Sequence, residues 1–307
     1  MNYPAGDGKV LSADFADDRG FFGWRFGRMS RSCRFTRMKI IRYRDSQSRV
    51  GYGWQGEEGG YYKIAGDIFG EYTATREAAD VAKLLAPVAP SGFFCIGLNY
   101  RQHAAETKGT IPEWPILFMK GINAVQNPGD PILIPTFLRS ERVDYEAELA
   151  VVIGRACKNV KRAEALDYVL GYTCGNDVSA RDWQIKWGGG QWCRGKTFDT
   201  FAPLGPCLVT RDEIPNPNAL KLRTILNGEA VQEANTDDMI FDVPTIIEFL
   251  SGSTTLAPGT VIMTGTPHGV GMARNPPLWL KAGDEVTIEI EGIGKLTNPV
   301  IEEAADH

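Results

Sequence analysis

Three carboxylates occupy alternate positions in "VDYEAELAVVIG": Asp144, Glu146 and Glu148. Side chains two apart on a strand share a face. The unbroken apolar run Leu149 to Ile153 reads as a strand buried on both faces. Acids gathered at the mouth of such a strand repel one another, and loss of water makes each charge costlier. A cation relieves both penalties. Taken alone, Glu146 and Glu148 read equally well as the solvated face of an edge strand. Downstream, Asp177 ends a second apolar stretch in "GYTCGNDVSARDWQ". A helix between the two strands would let the fold bring Asp177 beside the Glu pair, making an all-oxygen site. Hard oxygen donors suit Mg²⁺, Mn²⁺ or Ca²⁺ rather than Zn²⁺. With only His103, His268 and His307 in the chain, a histidine-rich zinc site is excluded by count.

His103 and Glu106 in "GLNYRQHAAE" are three apart, which sets them side by side on one helical turn. A carboxylate orients an imidazole and stabilises its charged form, giving a base for work near neutral pH. Unaided, the pair reads first as a chance neighbourhood on a surface helix. In "RGKTFDTFAPLGP", Lys196 sits in loop-like sequence from which a cation can reach a pocket that Thr200 would help line; an exposed lysine is the plain alternative. "VIMTGTPHGVG" runs from a strand into a turn where Thr266 offers a hydroxyl and an N–H, and His268 reads as a turn residue.

These residues need elements to position them. After Met38, strand-like pieces ("MKIIRYR", "SRVGYGW", "GGYYKIAG") lead to an expected helix near Thr75–Leu85, with Ala78, Val81, Ala82 and Leu85 as its apolar stripe. "APVAPSG" reads as a linker, which predicts a small α+β domain over residues 38–90 and a catalytic domain over 91–303. "RAEALDYVL" predicts a helix stopped by Gly171. "DVPTIIEFLSG" predicts another, capped by Asp242 with Pro244 in its first turn and Gly252 closing it. Asn227-Gly228 signals a hairpin, and Val286, Ile288 and Ile290 alternate along a half-buried strand. Many strands with few helices predict an α+β, β-dominated fold and argue against a doubly wound sheet.

A formal charge of −5 carries no nucleic-acid footprint, and no window approaches the apolar length of a membrane span. Six scattered cysteines without a CxxC pair read as buried small hydrophobes in a reducing, cytoplasmic compartment. Arg25, Arg28, Arg31, Arg34 and Arg37 recur every third residue, which leaves organelle targeting open; the acids Asp7 to Asp18 before them favour a disordered extension over residues 1–37.

Together the segments "GLNYRQHAAE", "PILFMK", "VDYEAELAVVIG", "GNDVSARDWQ", "GKTFDTFAPLGP", "NGEAVQ", "TGTPHGVG" and "GDEVTIEIEGIGKLTN" resemble, in order, the fumarylacetoacetate hydrolase family. The Glu-x-Glu strand followed by Asn-Asp-x-Ser-Ala-Arg-Asp is the specific part, and the stretch from "DVSARDWQ" on is most similar to the domain-containing-protein 2 branch. The resemblance implies a mixed β-roll catalytic domain, usually dimeric. It implies metal ligation by Glu146, Glu148 and Asp177, and a water-activating dyad of His103 and Glu106 on a segment that orders over substrate. It further implies charge balancing by Lys196, and substrate contacts from Arg181, Gln184, Thr266 and Lys120. The namesake enzyme has a further metal-binding Asp seven residues before its histidine, where this chain has Ile96. A three-carboxylate site is therefore implied, which argues against fumarylacetoacetate itself as substrate. Asp144 is not a ligand position in the family, and a polar contact at the rim is expected for it.

The expected activity is Mg²⁺-dependent hydrolytic C–C cleavage of a 2,4-dioxo acid, with pyruvate enolate as the leaving group and several kcal/mol of charge stabilisation from the metal. Enol–keto tautomerisation or isomerisation, or decarboxylation of oxaloacetate or a related acid, uses the same enolate chemistry and is the alternative. A catalytically silent metabolite-binding relative is the third reading. The expected partners are a small 2-oxo or 2,4-dioxo acid and a second copy of the chain, with neither nucleic acid nor membrane.

Overall fold

A computed structural model describes residues 38–304. The Arg-rich segment and Cys33 lie outside the described residues, as does His307. Strands β1 (Lys39–Arg44), β2 (Val50–Gln55), β3 (Tyr61–Gly66) and β4 (Tyr72–Ala78) form an antiparallel meander. Next come β5 (Gly92–Gly97), helix α1 (Arg101–Glu106) and β6 (Ile116–Met119), then β7 (Ala147–Ile153), β8 (Val169–Asn176), helix α2 (Cys193–Lys196) and β9 (Ala202–Thr210). The chain continues through β10 (Lys221–Leu226), β11 (Glu229–Asn235), α3 (Val243–Ser251), β12 (Thr260–Met263), β13 (Glu285–Ile290) and β14 (Gly294–Glu302).

The main sheet runs β4-β3-β2-β1-β9-β8-β7-β12-β5-β6. A second sheet, β11-β10-β13-β14 with the short strand Ile132–Ile134, packs over β7, β8 and β9. This is the expected β-dominated mixed roll. β7 lies between β8 and β12 and all its residues are buried, as its apolar run predicts. β1 pairs with β9 through Lys39↔Val209, so residues from before and after position 90 share one sheet.

The hairpin and the capped helix form where expected. Asn227 (φ 51°) and Gly228 (φ 85°) both take the left-handed conformation that a two-residue turn requires. Asp242 accepts the Thr245 N–H at 2.9 Å, and Gly252 ends α3. Val286, Ile288 and Ile290 are buried on β13.

Two expectations are corrected. Thr75–Leu85 contains no helix: residues to Ala78 belong to β4, and Lys83–Leu85 is a short strand on β1. Edge pairing prevails there. Thr75 Oγ1 donates to Lys63 O, Trp54 Nε1 donates to Thr75 O, and Ala78 and Ala82 are exposed, so no apolar helical face has anything to bury against. Likewise "RAEALDY" makes a 3₁₀ helix, Arg162–Tyr168, and Val169 already opens β8. Gly171 does not cap a helix. It lies inside β8, where a Cβ would stand 2.2 Å from Val209 O.

Candidate active site

The antiparallel pairing of β7 with β8 sets Ala147 opposite Asn176 and Glu148 opposite Gly175. At the open end of this pair the Asp177 N–H donates to Glu146 O at 2.9 Å, and the Glu146 N–H donates to Asn176 Oδ1 at 3.0 Å. The backbone itself thus gathers Glu146, Glu148 and Asp177. Each offers a carboxylate oxygen within 4.8 Å of the others, and all three are buried.

Cations surround two of the three acids. Lys196 Nζ donates to Glu146 Oε2 (2.6 Å) and Asp177 Oδ2 (2.7 Å). Arg181 reaches Glu146 Oε1 (2.6 Å) and Asp144 Oδ2 (2.8 Å), and Lys120 Nζ makes an ion pair with Asp177 Oδ1 at 2.7 Å. Burial acts to raise the Glu146 pKa, but Arg181 and Lys196 outweigh it and hold the carboxyl below the usual range. Burial likewise acts to lower Lys196, and Asp177 and Glu146 reverse it. Glu148 differs: it accepts the Gly265 N–H at 2.6 Å and has no ion-pair partner among the described residues. Burial, reinforced by the charges of Asp177 and Glu146, pushes its pKa well up.

The charge balance tests whether a metal fits. Asp144, Glu146, Glu148 and Asp177 face three cations, Lys120, Arg181 and Lys196, which leaves one buried acid uncompensated. A carboxylate has about four lone-pair sites, and those of Glu146, Glu148 and Asp177 are not exhausted by these contacts. Three hard oxygen donors converging with excess negative charge fit a divalent cation of the Mg²⁺ or Mn²⁺ kind.

The dyad assembles on α1. Asn99 pins the entry to that helix: its Nδ2 donates to Thr264 O (2.7 Å) and Phe241 O (3.0 Å), and its Oδ1 accepts the Phe241 N–H. His103 Nδ1 lies 2.7 Å from Glu106 Oε1, and Glu106 also accepts the Gly269 N–H at 2.9 and 3.1 Å. Burial acts to raise the Glu106 pKa; the His103 and Gly269 hydrogen bonds hold it below the usual value. Among the described residues His103 makes no side-chain hydrogen bond through Nε2, which leaves that nitrogen for the cavity.

That cavity, of about 230 Å³, is lined by His103, the three acids, Arg181, Gln184, Lys196 and Thr266, together with apolar side chains that include Phe118 and Trp192. Gln184 Oε1 accepts from Arg181 at 3.0 Å. Lys120 does not line it. Its side chain is wholly buried behind Asp177 and donates to Val178 O (3.0 Å) and Lys196 O (2.5 Å), so it props the acid and the helical turn carrying Lys196. Thr200 lies outside the cavity too, its hydroxyl accepting the Leu133 N–H. Asp144 is not at the rim: fully buried, it takes the Tyr145, Gly271 and Met272 N–H groups and Arg181 Nε. Gln232, buried on β11, carries no sequence signal of a role. Its Oε1 accepts from Ala147 N and Thr224 Oγ1 while Nε2 donates to Thr266 Oγ1 at 3.0 Å, linking the Glu strand to the Thr266 turn.

The C-terminal domain model of fumarylacetoacetate hydrolase matches residues 92–301. The chain is 51% identical over 219 residues to the mitochondrial oxaloacetate tautomerase fahd2 of Xenopus laevis, covering 71% of this chain and 68% of that one. It is 49% identical to the fumarylacetoacetate hydrolase domain-containing protein 2 homolog of Dictyostelium discoideum, with coverages of 71% and 74%. Among solved structures, the 2-hydroxyhepta-2,4-diene-1,7-dioate isomerase from Mycobacterium marinum superposes with a TM-score of 0.75 at 41% identity, over 87% of this chain and 99% of that one. The fumarylacetoacetate hydrolase from Exiguobacterium antarcticum gives 0.78 at 35% identity, over 87% and 100%.

Proposed function

We propose, on the premise that the chain belongs to the fumarylacetoacetate hydrolase family, that it is a divalent-metal-dependent enol–keto tautomerase of 2-oxo acids of the oxaloacetate type. One observation carries the reading: a single cavity is lined by an acid triad and by an imidazole with an uncommitted Nε2. Shifting a proton between C3 and the C2 oxygen needs a base, a charge sink and a grip on the carboxylate. The names of the Xenopus tautomerase and the mycobacterial isomerase support the same reaction class.

Glu146, Glu148 and Asp177 would hold Mg²⁺, with Mn²⁺ or Ca²⁺ as substitutes. Bound there, the cation supplies the positive charge that favours an enolate over a free ketone. His103 Nε2 takes the proton from C3, the electron pair moves onto the C2 oxygen, and that oxygen takes up a proton to give the enol; the reverse sequence gives the ketone. Glu106 keeps the proton of neutral His103 on Nδ1 and balances the imidazolium once it forms. Lys196 and Arg181 offset charge beside the C2 oxygen, while Gln184 and Thr266 orient the substrate.

Hydrolytic cleavage of a 2,4-dioxo acid is the second reading, because the His103–Glu106 pair can equally activate water and a structural relative is named a hydrolase. Decarboxylation draws on the same groups. A mitochondrial location is supported over a cytoplasmic one by the names of the Xenopus and human relatives; among the described residues no helix is long and apolar enough to cross a membrane. A homodimer is proposed from the exposed Trp114, Ile122 and Phe137.

The test follows decay of enol-oxaloacetate absorbance, with an acylpyruvate cleavage assay alongside. His103→Gln should lower the tautomerisation kcat by roughly 10²–10⁴-fold. Unchanged tautomerisation in this variant, or acylpyruvate cleavage by the wild type without any tautomerisation, overturns the assignment.

A further inference from the structure

We infer, resting on the tautomerase reading, that the cavity takes 2-oxo acids bearing an aromatic group on C3, with Trp192 and Phe118 as the wall that receives the ring. The cavity has two unlike halves. One holds the acid triad with Arg181 and Lys196; the other is hydrocarbon, formed around Gly97 by Leu98, Ile116, Phe118 and Trp192. Among the described residues every cation lining the cavity already has an acidic partner. Arg181 is shared by Asp144 and Glu146, Lys196 by Glu146 and Asp177, and His103 is held by Glu106. Oxaloacetate's own C3 carboxylate must therefore turn toward the charged half, because against the hydrocarbon lining it would shed its water without gaining a counter-ion. An aryl group there gains burial and edge contacts instead.

The wall is built into the fold. Phe118 places its ring centroid 5.0 Å from Lys196 Nζ, so the aromatic surface begins beside the charged half. Trp192 meets Phe118 edge-on, with centroids 5.6 Å apart and planes at 64°. Trp192 rests on Gly97, where a Cβ would come within 2.3 Å of Cζ3 of the indole; only glycine at the end of β5 leaves room for the ring. Leu98 follows in the left-handed conformation (φ 49°), which is strained for a leucine, and it places a branched apolar side chain on the same wall. Glycine or asparagine would take that backbone more cheaply, so local preference has yielded to the lining of the cavity.

The chemistry is the same proton shift and balances as before: the C3–H bond breaks toward His103 Nε2 and an O–H bond forms on the C2 oxygen, with no net oxidation. Phenylpyruvate is the probe, assayed beside oxaloacetate on the full chain supplied with Mg²⁺. Wild-type protein should tautomerise both. In Trp192→Ala the ratio of kcat/KM for phenylpyruvate to that for oxaloacetate should fall about tenfold, a loss of about 1.4 kcal/mol of ring contact, expressed mainly in KM. Gly97→Ala, which must displace the indole, should move the ratio the same way; Trp192→Leu serves should either variant fail to fold. Conversion of oxaloacetate with phenylpyruvate untouched, or an unchanged ratio in the folded variants, overturns the inference alone. Conversion of neither sinks the tautomerase reading and the inference together.

Discussion

Glu106→Gln changes one atom and should remove the base. The Glu106 carboxylate serves two donors: the Gly269 N–H, which it accepts at 2.9 and 3.1 Å, and His103 Nδ1 at 2.7 Å. A glutamine has one acceptor oxygen and one NH₂. The Gly269 amide can only donate, so the glutamine oxygen must turn to it, leaving the NH₂ facing His103 Nδ1. The imidazole then satisfies this contact only by giving up its Nδ1 proton and carrying one on Nε2, where the cavity needs a lone pair. Geometry survives and the tautomer inverts. The lost general-base contribution is about 10²–10⁴-fold in kcat, or roughly 2.7–5.4 kcal/mol of barrier, with KM little changed because Glu106 does not line the cavity. The assay is steady-state enol-oxaloacetate decay, with circular dichroism to confirm folding. A folded variant whose kcat stays within about threefold of wild type, well short of the expected loss, would refute the tautomer argument.

Three further outcomes follow from the buried charges. Glu148 is pushed toward its protonated form by burial and by Asp177 and Glu146; Mg²⁺ binding should therefore be coupled to proton release, read by calorimetry in buffers of different ionisation enthalpy, and Glu148→Gln should abolish that coupling and weaken binding. Lys120→Met strands the Val178 and Lys196 carbonyls and should cost on the order of 2 kcal/mol by denaturant unfolding; unchanged stability would show that Lys120 props nothing. Because the folded-state pKa of Glu106 is depressed, its stabilisation is complete above its ordinary value of 4.5 and is lost as pH falls through the depressed one. Below that ordinary value wild type should therefore lose more stability than Glu106→Gln, and parallel pH–stability curves would contradict this.

The residues whose chemistry demands partners were the readable ones. Alternating carboxylates ahead of an apolar run pointed to both the buried strand and the acid cluster, and Asn227-Gly228 and Asp242 carry their turn and cap in their own side chains and backbone. Misreadings came where tertiary partners decide. "TREAADVAKLL" favours helix locally, yet β3 supplies a strand edge for its first residues to pair with. Gly171 looks like a helix stop, but the close approach of Val209 explains it. Asp144 and Lys120 are charged residues whose depth depends on segments far away in sequence, namely residues 271–272 and 178–196. Gln232 gave no signal at all, because an amide is informative only once both of its ends have found partners.

The proposed proton transfer in the cavity that His103 faces requires a divalent ion held by Glu146, Glu148 and Asp177. Its most direct test is the tautomerisation rate of chelator-stripped protein before and after Mg²⁺ is restored, with Glu148→Ala in parallel. Stripped protein should lose nearly all activity and regain it with Mg²⁺, while Glu148→Ala regains little. Full turnover by metal-free wild-type protein would contradict the account.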